Sequence, residues 1–433
     1  MSQPYPSPAA KFDMKELEEG VLAFWDRADI FEKLRTKNAD GAPWSFIDGP
    51  ITANNPMGIH HAWGRSLKDA FERYHAMNGR SLRYQNGFDC QGLWVEVEVE
   101  KELGFTSKRD IEEYGIDRFV ERCKQRVLRY ADIITAQSKR LGYWMDWNDS
   151  YFTMSEENNY TIWSFLKKCH DRDLLYRGHD VMPWCPRCGT GISQHEMSEG
   201  YAEVTHLALY VALPIRGRPG EHLVVWTTTP WTLPANVAAA VNPEVSYAAV
   251  SDGHETFYVG AERAGLVATM LGRRSAGARV PGRFEIRRRL TGAELLAMEL
   301  SYDGPFDHLT AAADARQAHR IIPWDEVAAE EGTGLVHVAP GCGEEDNALG
   351  RAFDLPAPAP VDESGRFLPG YGELAGRAAG EVGEDIAADL ERRRRLVGRE
   401  RYTHSYPHCW RCGRELIYRL VDEWYIAMDP WRD

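Results

Sequence analysis

The chain has no long apolar run. Its first residues, MSQPYPSPAAKFD, hold neither a signal peptide nor a membrane span, which points to a cytoplasmic protein with no membrane partner. Positive charge is in deficit: 51 Lys and Arg face 65 Asp and Glu, for a net charge of −14. No global basic field therefore announces a nucleic-acid partner, although a local basic groove can sit on an acidic protein. Cysteines number only eight, and in a reducing compartment they read as ligands and core residues rather than a disulfide framework. The zincin, P-loop and dinucleotide fingerprints are all missing. What is present is an ordinary globular composition, 43% hydrophobic and 27% charged, over 433 residues. That length is enough for about three domains.

In chain order, residues 1–12 form a Pro/Ser-rich lead. Asp13-Met-Lys-Glu16 is a capping-box pattern that opens an amphipathic helix, with Leu17, Val21, Phe24 and Trp25 on its packing face. The stretch Trp44 to Asp69 reads as a short buried strand (Phe46, Ile47) broken at Gly49-Pro50. A polar loop through Asn54-Asn55-Pro56 follows, and a helix opens near Gly58. A strand, a turn-rich loop and a helix start make an anion-binding geometry. His60 and His61 in the first turn can donate to phosphate oxygens. A surface loop with solvated histidines is the plain alternative. Asp89 sits at a second strand end, where ligands of open α/β sheets collect. It reads either as a grip for a substrate cation or as an N-cap. Residues 107–180 read as mostly helical, with Trp144, Trp147, Trp163 and Phe165 as anchors and no catalytic grouping.

Cys185-Pro-Arg-Cys188-Gly189 and Cys409-Trp-Arg-Cys412-Gly413 are matched knuckles. Four thiolates from two such knuckles make a closed, structural, tetrahedral zinc site; a thioredoxin-like redox pair is the rival. One shared metal makes residues from about 200 to 395 an insertion with its ends held together, and such an insertion behaves as its own domain. Strand-like runs at 206–213, 223–226, 248–250 and 257–259 predict that it is β-rich. Within it, Trp226-Thr-Thr-Thr-Pro-Trp-Thr-Leu-Pro-Ala-Asn236 reads as plain strand or as a shaped loop of converging donors. In Gly332-Thr-Gly-Leu-Val-His337-Val-Ala-Pro-Gly-Cys-Gly-Glu-Glu-Asp346 a strand carries a histidine, and a glycine loop delivers carboxylates to a helix start. Together they suit a hydrolytic pocket for a polar, cationic substrate. After Gly370 the chain reads as charged and loop-like up to the second knuckle.

These landmarks, in this order and over nearly all 433 residues, resemble the N-terminal portion of the class I isoleucyl-tRNA synthetases. The Thr-Thr-Thr-Pro-Trp form favours isoleucine over its valine and leucine relatives. The resemblance implies an α/β fold: the first half of a split Rossmann-type parallel sheet with a zinc knuckle and an inserted β-rich editing domain. It divides the chain into 1–200 (N-terminal helix, Rossmann half and first knuckle), 201–395 (editing insertion) and 396–433 (return to the core with the second knuckle). It implies ATP-dependent ligation of isoleucine to its tRNA, with Mg2+ accompanying ATP and Zn2+ structural, and hydrolysis of mischarged valyl-tRNA in the insertion.

Carried over by position, Asp89 holds the amino acid's ammonium group beside Pro50. His61 matches the second histidine of the H-x-G-H signature that meets ATP, with Gly58 and His60 alongside. Thr227, Thr228, Thr229, Thr232 and Asn236 form the editing wall, with His337 and the ammonium-binding Asp346 opposite. Cys185, Cys188, Cys409 and Cys412 bind the metal. Departures cluster at the synthetic pocket. The signature reads Gly58-Ile-His60-His61, and Ile51, Asn55, Gln91 and Trp94 replace a usual Pro, Gly, His and Pro. Adjacent histidines on a helix diverge by about 100°, so either activation is impaired or, as the favoured expectation, an altered backbone path at Gly58 brings His60 back to the phosphates. The KMSKS-like half and the anticodon-binding domain are also missing, so the chain is expected to be a fragment of an enzyme that is monomeric when complete. The alternatives are a trans-acting deacylase and a non-catalytic amino-acid-binding paralogue.

Overall fold

The computed structural model describes residues 13–46, 48–274 and 284–432; the expected lead at 1–12 and Ile47 lie outside them. The chain divides into two compact units, Met1–Leu174 and Leu175–Asp433. Among the described residues no helix is long and apolar enough to cross a membrane.

The first unit is built on three parallel strands in the order Ile51–Thr52, Gln85–Asp89, Asp146–Phe152. Thr52 lies opposite Asp89, and Phe88 opposite Phe152, so all three carboxyl ends share one edge. Helix Ile59–Met77 joins the first pair, and helices Leu93–Leu103, Lys108–Tyr114 and Ile116–Leu141 join the second. Ile51, Phe88, Val95, Val127 and Ile134 form the small core between sheet and helices.

Four expectations need correction. A strand does precede Gly49-Pro50, but it is Pro43–Trp44, paired parallel with Ser81–Leu82 and ending before Phe46, and the strand that enters the three-stranded sheet begins only after Gly49-Pro50. The third strand, DWNDSYF, falls within a stretch read as helical; its residues are at most half-buried, so no apolar alternation marks it. Trp163 and Phe165 are exposed rather than anchoring. The N-terminal helix Met14–Arg27 is capped as expected, with the Glu16 N–H donating to Asp13 at 3.1 Å. Its apolar face packs only in part: Leu17, Val21 and Phe24 are exposed, while Trp25 meets the Trp144 ring edge-on at 5.0 Å.

Helix Ile59–Met77 is inverted relative to an ordinary amphipathic helix. Charged Arg65 (5% exposed) and Glu72 (2%) face inward, while Trp63 (69%), Phe71 (63%), Ile59, Leu67, Tyr74 and Met77 face solvent. Inside, Arg65 donates to Asn86 Oδ1 at 3.1 Å and lies over the Tyr143 ring. Burial, reinforced by Asp69 and Asp48, pushes the Glu72 carboxyl up to about 8.

In the second unit, Tyr201–Pro214 runs antiparallel to Leu396–Pro407, from Tyr201 opposite Pro407 to Val211 opposite Leu396. Beyond this stem, Leu175–Cys185 runs antiparallel to Ile417–Ile426. Between the outgoing and returning arms lies a β-rich body, a nine-stranded sheet. Its central strand Glu221–Thr227 pairs antiparallel with Tyr201–Pro214 and parallel with both Thr256–Gly260 and Val336–Val338. Leu209, Leu213, Leu223, Tyr247 and Tyr302 fill the main core. The expected strand runs at 206–213, 223–226, 248–250 and 257–259 all lie in strands. The charged stretch after Gly370 is not a loop: it holds helix Gly383–Arg392 and the returning stem strand. In that strand Arg399, Arg401 and Thr403 point to solvent, while Glu400, Tyr402 and His404 are half-buried. The charges hid a period of two.

Candidate active sites and metal centre

The two knuckles meet although 221 residues separate Cys188 from Cys409. The four Sγ atoms of Cys185, Cys188, Cys409 and Cys412 lie within 4.8 Å of one another. Cys185 is 3.5 Å from Cys412, and Cys188 is 4.0 Å from Cys409. A tetrahedron of metal–sulfur bonds of about 2.3 Å has edges of about 3.8 Å, so the cluster has the size of a metal-binding site. The knuckles turn alike. Gly189 (φ 62) and Gly413 (φ 72) adopt the left-handed conformation, and their N–H groups donate to the carbonyls of Cys185 and Cys409. In the first knuckle the Cys188 N–H donates to Cys185 Sγ at 3.4 Å, and in the second the Cys412 amide faces the Cys409 sulfur. The glycine therefore shapes the turn, and the cysteine supplies the sulfur contact.

The threonine stretch and the histidine strand are neighbours. Parallel pairing of Trp226 with Val336 makes both strands release their loops at the same sheet edge. The threonine loop leaves after Thr227 and closes into a 3-10 turn over Pro230–Ala235. The other loop leaves after Val338 and enters helix Glu344–Ala352. His337 is buried and bonded at both nitrogens: Nε2 meets Thr232 Oγ1 at 2.8 Å, and Nδ1 meets Asn236 Nδ2 at 3.3 Å. Burial lowers its pKa to about 4, so the ring is neutral. The Thr229 N–H donates to Thr227 Oγ1 at 3.1 Å. Thr228 has no hydrogen-bond partner among the described residues and lines a cavity of about 340 Å³ with Thr229, Trp231 and Glu384. Asp346 folds back within its loop and accepts the Ala339 N–H at 2.8 Å. Burial raises its carboxyl to about 6, against the pull of that bond.

In the first unit, Asp89 ends its strand between two hydroxyls. Thr52 Oγ1 donates to it at 3.2 Å, and Thr153 Oγ1 stands 3.4 Å away. It is not an N-cap, because Gly92 (φ 95) caps the following helix. Helix Ile59–Met77 starts at Gly58, as expected. His61 Nδ1 accepts the Gly58 N–H at 3.1 Å, leaving the ring proton on Nε2. Burial, followed by the neighbouring His60 and Arg65, lowers the His61 pKa. The two histidine rings do not diverge: their centroids are 3.8 Å apart. Nor does Gly58 adopt a special backbone conformation (φ −82). Its missing side chain matters for space, since a Cβ would stand 2.9 Å from His60 Cε1. Pro50 is exposed, immediately before the first parallel strand. The unusual residues nearby are tied in: Asn55 accepts from Arg126 at 2.9 Å, and Gln91 donates to the Thr153 carbonyl at 3.1 Å.

Two residues of these sites escaped the sequence reading. Thr153 follows the third strand, whose polar sequence hid it. Tyr302 donates to Asn236 Oδ1 at 2.9 Å from 66 residues away, and nothing local marks it.

Comparison with known proteins agrees with the resemblance. A family model described as tRNA synthetases class I (I, L, M and V) matches residues 20–433. Isoleucine–tRNA ligase of Streptomyces coelicolor is 40% identical over 432 residues, 99% of this chain and 40% of that protein. The Thermobifida fusca protein of the same name is 39% identical, across 100% of this chain and 40% of its own length. The Thermus thermophilus one is 40% identical, across 96% and 38%. The chain thus spans about 40% of the length of the curated relatives it matches.

Proposed function

The chain belongs to the class I tRNA synthetases (I, L, M and V), and from that premise we propose that it is the amino-terminal part of an isoleucine–tRNA ligase. In this reading the first unit holds half of the site where the isoleucine carboxylate attacks the α-phosphate of Mg2+-bound ATP and expels pyrophosphate. Asp89, steadied by Thr52 and Thr153, grips the ammonium group beside Pro50. His61 presents its Nε2–H to the phosphates, with Gly58 and His60 alongside. The acyl group then passes to the terminal adenosine of tRNA. A single methylene separates isoleucine from valine and is worth only about 1–3 kcal/mol in a binding pocket, a limit for which isoleucyl-tRNA synthetase is itself the usual illustration. A hydrolytic second site follows from that limit.

We place that site in the insertion at 201–395, between the segments 1–200 and 396–433. Asp346 holds the ammonium of valyl-tRNA, and Thr228 and Thr229 orient the ester and the attacking water. The observation that carries the reading is the release of both loops from neighbouring parallel strands. Zn2+ on Cys185, Cys188, Cys409 and Cys412 pins the feet of the insertion and takes no part in the chemistry. The complete enzyme is cytoplasmic and monomeric, and this chain needs the remaining part of its relatives' length for synthesis.

The test is hydrolysis of valyl-tRNA(Ile) by this chain. Hydrolysis well above the uncatalysed rate, lost in Asp346→Ala, is expected; no hydrolysis would overturn the editing assignment. A second reading is a trans-acting deacylase without synthesis. The observation favouring it is that His61 Nδ1 is spent on the Gly58 amide. Isoleucine-dependent ATP–pyrophosphate exchange, with the missing part supplied in trans, separates the two.

A further inference from the structure

We propose that Tyr302 is a positioning residue that sets the hydrogen-bond polarity of the threonine loop, making His337 an Nε2-protonated strut rather than a proton-transfer group. The inference rests on the editing reading for its consequence and on donor counting for its substance.

The Tyr302 hydroxyl donates to Asn236 Oδ1 at 2.9 Å. Asn236 Nδ2 donates to the Ala238 carbonyl at 3.0 Å. The Ala238 carbonyl can only accept, so it marks the amide nitrogen, and the Tyr302 hydroxyl holds the oxygen at the other end; the group facing His337 Nδ1 is an N–H donor. Nδ1 must therefore be bare, and the ring proton sits on Nε2. At the far end the Thr232 hydroxyl donates its single proton to the Thr229 carbonyl at 2.9 Å. Its oxygen can only accept from His337 Nε2, 2.8 Å away. Both ends demand the same tautomer, and each link runs in one direction.

The start of the relay is braced as well. The Tyr302 ring stacks on His319 at 4.9 Å. His319 presents Nδ1 to the Val237 carbonyl at 2.9 Å and Nε2 to Asp307 Oδ1 at 2.8 Å. Both nitrogens face acceptors, so the ring is held at both ends. Its bond to Val237 ties down the residue after Asn236. With His337 Nδ1 blocked by an amide and Nε2–H spent on Thr232, the imidazole has no lone pair to offer a water. Thr228, unpartnered, is left as the loop's free hydroxyl.

The experiment is long-range 1H–15N NMR of the full chain with labelled histidine, His337 being identified by its loss in His337→Gln. The expected spectrum is neutral His337 with its proton on Nε2 from pH 5 to 8. In Tyr302→Phe only Ala238 still orients the amide, and an Nδ1–H population is expected. Asn236→Asp turns an acceptor toward Nδ1 and is expected to drive the proton there. Valyl-tRNA hydrolysis by Tyr302→Phe should lose about tenfold in kcat with KM within about twofold, the worth of one buried hydrogen bond. A wild-type ring that is charged or protonated on Nδ1 at pH 7 would overturn the proposal. So would an unchanged tautomer in both variants. A chain that hydrolyses no misacylated tRNA would sink the editing assignment alone, because the spectrum still decides the polarity.

Discussion

Asp346→Asn isolates the tension at the proposed editing site. The carboxyl moves from an ordinary 3.8 up to about 6 on folding, chiefly by burial. A shift of about 2 units corresponds to about 3 kcal/mol. The folded pKa lies above the unfolded one, so the folded chain binds the extra proton between pH 4 and 6. Stability is therefore fully present below about pH 4 and falls as pH rises through 6. Asparagine cannot ionise and keeps an oxygen for the Ala339 N–H, but buries an amide without a known partner, at about 1 kcal/mol or more. The variant should be about 1 kcal/mol less stable than wild type at pH 4 and about 2 kcal/mol more stable at pH 7.5. His337 titrates on folding with the opposite sign, its pKa falling to about 4. The wild-type pH profile alone is therefore flattened, and only the difference between the two proteins is diagnostic. Urea melts at both pH values measure it. The same substitution removes a charge-assisted contact worth about 1.5–3 kcal/mol, so kcat/KM for valyl-tRNA hydrolysis should drop by about 10- to 100-fold. A stability difference identical at pH 4 and 7.5 would refute the reasoning.

Other expectations follow from packing and from the metal cluster. Gly334 combines φ 72 with a position where a Cβ would stand 2.8 Å from Gly260 Cα; Gly334→Ala should cost about 2–4 kcal/mol in denaturant melts. Purified chain should carry one equivalent of zinc by elemental analysis. Cys409→Ser or a strong chelator should remove it and lower the melting temperature, whereas a metal-free wild type with an unchanged transition would contradict the site. The apolar outer stripe of helix Ile59–Met77 should drive self-association of this chain. Trp63→Glu with Phe71→Glu should return it to monomer in analytical ultracentrifugation.

Much of this molecule was written locally. The knuckles declared themselves by spacing. Asp13 announced its cap, and the strands of the insertion announced themselves by apolar runs, because in each case the signal lies within a few consecutive residues. The stem strand after Leu396 is marked locally too, by an alternation that runs beneath its charges. What the tertiary structure alone decided depends on partners far apart in the chain. It brought Cys188 to Cys409, released the threonine and histidine loops at one edge, and set Thr153 against Asp89. It also turned the charged side of helix Ile59–Met77 inward and its aromatic side out, where a periodicity argument supplies the stripe but not its direction. The tautomer of His337 belongs in the same class: it depends on a tyrosine hydroxyl 66 residues from Asn236, and a directional hydrogen bond exists only once the groups have been folded to within 3 Å.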